Sequence, residues 1–502
     1  MGEWAARFGL VGGILAFFVI GFLPATEGLP VAAQWTAATG ALMATWWLTE
    51  ALPPSVTALV PIVLLPLTGA MAADDITRSY ASETNLLFLG GLMIAMAVER
   101  WNLHRRMALW IIHSFGRTPS GLVFGFMAAT GAISAWISNA ATTMMMLPIA
   151  SAVLLHFRDD HPELERVMGP PLMLSIAHAA TIGGLATIVG TPPNAVFVGQ
   201  MAKLFPDAPP IGFLQWMMVG VPVALVLLPL TWFYLVRIAS PLWKSRAVLD
   251  RSAIAAQRAE LGPMTTPERR VMMVFAATAA LWMLRSTIHT DAFVFPGWSG
   301  LLPQPKFAGD STVAVGMALV LFLVPSGRTT GERLLDWKTA VKIPWGVLVL
   351  LGGGFALADA ARASGLADWI GTGLGSVQDV SPLVKVGMLC LAITFLTEVM
   401  TNTALTTIMM PVLAASAVAS GTDPLLLMLP CTFSASLGFM MPSGTAPNAI
   451  VFSTGHLTVR YMARVGFALN LLSIVVVTAM TFLLAGPVFG ISLNSLPPWA
   501  HP

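Results

Sequence analysis

Two short polar clusters interrupt apolar stretches of this 502-residue chain. The first holds Ser134, Ser138, Asn139, Thr142 and Thr143; the second holds Thr397, Thr401, Asn402, Thr403 and Thr406. All are neutral oxygen or amide groups. A dehydrated alkali cation needs several such oxygens, and an asparagine can turn its carbonyl to a cation while its amide donates to a carboxylate. A single cluster of this kind reads as helix capping or interhelical glue. Here there are two, each followed by a helix-breaking Gly-Thr-x-Pro-Asn-Ala sequence, at 190–195 and 444–449. Pro192 and Pro193 remove backbone donors and bias the preceding residue away from helix, and the glycines allow unusual dihedrals. Interrupted helices expose carbonyls that coordinate cations and N–H groups that attract anions.

The surroundings of these motifs lack charge. No Lys, Arg, Asp or Glu lies in 119–155 or 171–201, and only Lys385 and Glu398 lie in 381–420. An anion site with no fixed positive charge fits charge supplied by co-bound cations, and the scarcity of acids argues against a carboxylate proton relay. Glu398 reads either as a group that tunes the nearby cation site or as a structural partner on a scaffold helix. His178 reads as a hydrogen-bonded packing residue, since a lone histidine does not make a metal site. Cys390 and Cys431, the only cysteines, fall in apolar segments and exclude a disulfide framework or a CxxC metal site. No nucleophile, metal cluster or acid/base pair stands at membrane depth, so the chain reads as something other than an enzyme.

Positioning such motifs requires a membrane. The chain is 56% hydrophobic and 10% charged, where a soluble domain has about 25% charged residues. The fold class expected is an all-α polytopic membrane protein. About eleven transmembrane helices are read near 8–26, 31–49, 53–73, 86–112, 171–202, 212–240, 271–288, 311–325, 345–374, 424–454 and 463–489. The first ends in a poor cleavage site, so it is read as a retained helix rather than a signal peptide. The stretches 120–155 and 383–418, polar in the middle, are read as re-entrant helical hairpins. Of the 26 Lys and Arg, all but Arg78, Lys203, Arg285, Lys306, Arg362 and Lys385 fall on segments that an N-inside, C-outside arrangement puts in the cytoplasm. The net charge of +2 implies no nucleic-acid partner.

The two halves repeat. Leu89-Gly90-Gly91 recurs as Leu351-Gly352-Gly353, SNAATTMMMLP (138–148) as TNTALTTIMMP (401–411), and GTPPNAVF (190–197) as GTAPNAIV (444–451). The organisation read from this is a first helix over 1–30, repeat 1 over 31–240 with its hairpin at 120–155 and broken helix at 171–202, a cytoplasmic linker over 241–270, repeat 2 over 271–489 with its hairpin at 383–418 and broken helix at 424–454, and an outer tail over 490–502. An odd number of spans per repeat, five, turns the second copy upside down. Inverted repeats with a site at their interface are the plan of secondary transporters, and paired broken helices favour alternating access over a continuous pore.

At these motifs the chain resembles the divalent anion/sodium symporter family of bacterial dicarboxylate transporters and animal citrate and sulfate transporters. The likeness covers nearly the whole chain and is carried by WWLTEALPPSVTALVPIVLLPLTG (46–69), the hairpin signatures ISNAATT and MTNTALT, and the two Gly-Thr-x-Pro-Asn-Ala loops. It implies a homodimer in the lipid bilayer of a bacterial inner membrane, with a fixed scaffold domain and a transport domain that moves like an elevator. It implies one Na+ site from Ser134, Ser138, Asn139 and Gly190, and a second from Thr397, Met400, Asn402 and Gly444, with the glycines and Met400 acting through backbone carbonyls. Substrate carboxylates would meet Asn139, Thr191, Asn402, Thr403 and Thr445. The resulting expectation is sodium-coupled symport of a C4 dicarboxylate of the succinate, malate or fumarate class. Three departures from the family signature, Ala140 for a Thr, Thr401 for a Ser and Ala446 for a Pro, leave a sodium-independent exchanger or a sulfate or citrate transporter of the same fold as alternatives.

Overall fold

The computed structural model describes residues 3–24, 28–160, 162–240, 242–244, 252–289, 294–367, 369–370, 381–493 and 495–500. Parts of the expected first span, linker, ninth span and outer tail therefore lie outside the described residues. The regular structure of the described residues is helical apart from Ile288–His289, which pairs antiparallel with Val294–Phe295, and an isolated antiparallel bridge between Pro325 and Arg333. Five helical stretches are individually long and apolar enough to cross a membrane, and seven shorter apolar helices accompany them.

The N-terminal pair, α1 (Glu3–Phe22) and α2 (Val31–Thr49), is pinned by Gln34, whose amide donates to the carbonyls of Ile20 (2.8 Å) and Leu23 (2.9 Å). The stretch 86–112, expected as one span, is two helices, α3 (Glu83–Arg100) and α4 (Leu103–Phe115). Asn102 breaks them with φ 55°, a left-handed conformation that asparagine tolerates better than most residues. The Trp101 indole fixes the corner by donating to the Leu334 carbonyl at 2.7 Å. The His-Arg-Arg run that follows at 104–106 is too polar for hydrocarbon, which the apolar count of the longer window concealed.

Each of the stretches 120–155 and 383–418 is two helices joined at a polar turn. The first comprises α5 (Pro119–Ser134) and α6 (Asn139–Asp160). Thr118 caps α5 by accepting from the Gly121 amide. The broken helix follows as α7 (Pro162–Gly184) and α8 (Pro192–Leu204), with 185–191 non-helical and buried, and α7 packs against both hairpin arms. After α9 (Phe213–Tyr234), α10 (Thr266–Met283), α11 (Asp310–Leu323) and α12 (Trp345–Ala363), the arrangement recurs. The second hairpin is α13 (Pro382–Leu396) and α14 (Asn402–Ala419), and its broken helix is α15 (Pro424–Ser436) and α16 (Ala446–Phe452), with α15 between the arms. Helix α17 (Val459–Met480) packs on α13 and α15.

The second halves of the broken helices cross over. Helix α16 packs on α6 and α7, while α8 packs on α12, α14 and α15. The two polar motifs are thereby held in one braced body rather than in two separate halves.

Candidate functional site

Ser134 closes α5 and Asn139 opens α6. The Ser134 hydroxyl lies 2.8 Å from Asn139 Oδ1 and 2.7 Å from the Ala180 carbonyl of α7. A hydroxyl has one hydrogen to donate, so three oxygens converge here on a single proton. The second half repeats the geometry: Thr397 Oγ1 lies 2.9 Å from Asn402 Oδ1 and 2.5 Å from the Ala435 carbonyl of α15. Asn402 Nδ2 donates to the Ser436 carbonyl at 3.4 Å, which fixes the way the amide is turned. Thr143 and Thr406 each bond back to the carbonyl of the asparagine that begins their helix, at 2.8 Å. Clustered oxygens with more lone pairs than hydrogens form the donor set that hard cations take.

The non-helical linkers stand beside these clusters. A Cβ added to Gly190 would come within 2.5 Å of the Gly184 carbonyl and 3.0 Å of the Ala135 carbonyl, so only glycine allows this approach. Buried backbone must find partners. Asn194 supplies them in the first linker, its amide donating to the carbonyls of Gly184 (2.9 Å) and Thr187 (2.7 Å), and Thr187 donates in turn to Ala135 O. In the second linker Asn448 donates to the carbonyls of Gly438 (3.2 Å) and Met441 (3.0 Å). Each asparagine staples the gap in its own helix.

The remaining expected site residues fall as follows. Asn139, Ser138, Asn402 and Thr403 are half-buried at the hairpin turns, as is Ala140 at the position matching Thr403. Ser138 accepts from the Ala141 amide at 3.4 Å and so caps α6. Met400 is buried in the second turn, its amide bonded to the Leu396 carbonyl. Thr191 and Thr445, both buried, stand in extended conformation at the heads of α8 and α16; Thr445 caps its helix by accepting from Asn448 N, while Thr191 makes no cap bond. Gly444 lies against Glu398, with Oε2 2.8 Å from a Cβ added there. His178 is fully buried edge-on to Phe439 (4.7 Å between ring centres), with no hydrogen-bond partner for either ring nitrogen among the described residues; it packs as expected but does not bond as expected.

Sequence reasoning did not assign Asn194 and Asn448, nor Thr187 and Asn470. The signal for the first two was present, because the asparagine of Pro-Asn-Ala recurs in both loops. Thr187 and Asn470 sit in no repeated motif.

Compared with known proteins, the chain matches the profile of the sodium:sulfate symporter transmembrane region over residues 5–494. It is 39% identical to a sodium-dependent dicarboxylate transporter of Staphylococcus saprophyticus over 97% of this chain and 92% of that protein. It is 38% identical to the transporter of the same description in Staphylococcus aureus strain MRSA252, with the same coverage. Two solved structures share the fold at 13% identity. One is the YdaH transporter of Alcanivorax borkumensis, with TM-score 0.61 over 88% of this chain and 99% of that one. The other is MtrF of Neisseria gonorrhoeae, described as one of a class of antimetabolite efflux pumps, with TM-score 0.59 over 89% and 98%.

Proposed function

The chain belongs to the sodium:sulfate symporter family of multi-pass membrane transporters, and from that premise we propose that it couples sodium entry to the uptake of a C4 dicarboxylate. The observation that carries this reading is the matched pair of oxygen clusters, Ser134–Asn139–Ala180 and Thr397–Asn402–Ala435, each with one shared proton and no cationic side chain in its hairpin turn. Sodium ions fill the clusters. They carry the positive charge that a dianion requires, and the substrate lies between the hairpin turns against Asn139, Thr191, Asn402, Thr403 and Thr445. Ser138, Gly190, Met400 and Gly444 complete the two ion sites. The relatives described as sodium-dependent dicarboxylate transporters support the choice of ion and substrate.

The proposed machine is a homodimer in the bacterial inner membrane, N-terminus inside and C-terminus outside, with about eleven spans and two re-entrant hairpins in inverted repeats over 31–240 and 271–489. The hairpins and broken helices move as one body against the remaining helices. Radiolabelled succinate uptake into proteoliposomes tests the reading. Uptake should require an inward sodium gradient and fail with potassium or choline. Sodium-independent uptake driven by internal dicarboxylate would make the protein an exchanger, and competition by sulfate or citrate but not malate would change the substrate class.

A further inference from the structure

The hydroxyl–amide–carbonyl core of the two clusters is alike, and the charge beside it is not. Directly after Thr397 comes Glu398, 5% exposed, whereas the residue after Ser134 is Ala135. Glu398 Oε1 accepts from Phe439 N (2.8 Å), Met440 N (2.9 Å) and Asn470 Nδ2 (2.8 Å), and Oε2 accepts from Met441 N (3.0 Å). All four bonds are donated to it, as an ionised, acceptor-only carboxylate requires. All four donors are neutral, and among the described residues no Lys, Arg or His pairs with it.

The first linker closes without any carboxylate. Leu185 N and Ala186 N bond to the carbonyls of Ile182 (3.2 Å) and Gly183 (3.0 Å), and Trp216 of α9 reaches the Leu185 carbonyl where Asn470 of α17 reaches Glu398. A fixed negative charge thus flanks one cluster and not the other. It stands beside both Thr397 and the backbone of Gly444.

We propose that Glu398 makes the two cation sites unequal, so that the Thr397–Asn402 site fills with sodium at a lower concentration than the Ser134–Asn139 site. This rests on the reading of both clusters as sodium sites. Glu398 is a positioning residue in this scheme: it holds the second linker and acts on the ion through space. Opposite unit charges a few ångström apart interact strongly enough, even at an effective dielectric constant near 20, to shift a site's affinity by about tenfold or more.

The test is a sodium titration of the purified full-length protein, followed by 22Na+ binding and by thermal stabilisation. The wild type should fill in two phases. Glu398→Gln should move the tighter phase up by about tenfold or more and leave the weaker one in place, whereas Ser134→Ala should remove the weaker one. Asn470→Ala takes one bond from the brace without touching the charge, so it should keep both phases. That arm stands on its own if Glu398→Gln does not fold. Two unchanged phases in Glu398→Gln, or loss of the tighter phase in Asn470→Ala, would overturn the proposal and leave Glu398 a mechanical brace. A wild type that binds no sodium would instead refute the sodium reading itself.

Discussion

In the proposed scheme Asn139 and Asn402 carry a double demand: each offers Oδ1 to a hydroxyl-lined cluster while its amide, one hydrogen of which Asn402 gives to the Ser436 carbonyl, donates to substrate. Asn139→Ala and Asn402→Ala are each expected to abolish sodium-driven succinate uptake, or reduce it to the level of empty liposomes; uptake near wild type in either would remove that asparagine from the site. Under the proposed placement of the substrate, Thr403 and Ala140 divide the work unequally. A hydroxyl bonded to a carboxylate is worth roughly 1.5 to 3 kcal/mol, so Thr403→Ala should weaken substrate affinity about tenfold or more. Ala140→Thr should tighten or spare a short dicarboxylate and penalise a bulkier one, which competition assays would read directly. The hydroxyl–amide pairs were legible in the sequence because each member lies five residues from the other. The setting of Glu398 was not, because its donors lie 41 to 72 residues away and meet only when the second linker folds onto the hairpin.

Among the helices and linkers, the most exacting construction is the pair of gaps stapled by Asn194 and Asn448. Both side chains are fully buried, and each donates to two linker carbonyls, of which Thr187 O and Met441 O also accept from the Gly190 and Gly444 amides while Gly184 O and Gly438 O rely on the asparagine. Asn194→Ala and Asn448→Ala should each cost about 1 to 3 kcal/mol for the Gly184 or Gly438 carbonyl left unpaired, seen as a lower melting temperature of the purified protein. The positions of both breaks followed from proline and glycine, which act locally. The split of 86–112 did not, because it depends on Asn102 adopting a left-handed turn and on Trp101 reaching a carbonyl far along the chain. A second junction is electrostatic. Glu268 completes a capping box with Thr265 at the head of α10 and pairs with Arg106 of α4 at 3.0 Å. Burial pushes its carboxyl upward, but the Arg106 and Thr265 contacts outweigh that and hold it below its ordinary value of 4.5. A depressed folded-state value stabilises at pH above 4.5 and is lost as pH falls through the lowered value. Melting of Glu268→Gln against wild type should therefore show a gap at neutral pH that closes on acidification below about 4.5; a gap independent of pH would assign the effect to packing.

Across the whole molecule, the contact between α8 and α12 joins the site-bearing body to the helices around it. Lys203 pairs with Asp359, Gln200 donates to the Gly354 carbonyl at 3.0 Å, and Arg362 donates to the Lys203 carbonyl at 3.0 Å. If the site-bearing body travels, this contact must part in every cycle. Joining Lys203→Cys to Asp359→Cys with a short bifunctional thiol reagent should stop uptake and spare sodium-dependent substrate binding; uptake that persists in the joined protein would rule out sliding of α8 past α12. The native cysteines, both buried, leave little background for such labelling. The crossing of the broken helices also bears on how the protein is made. Helix α8 rests on α14 and α15, which leave the ribosome about 200 residues later, an interval of roughly 10 to 40 s at ordinary rates of synthesis. Through that interval a short, proline-headed segment with exposed backbone ends has no permanent neighbour on one side. The nascent first half must be sheltered by the insertion machinery until its complement arrives, and a chain truncated after residue 240 should be cleared by membrane proteases rather than accumulate.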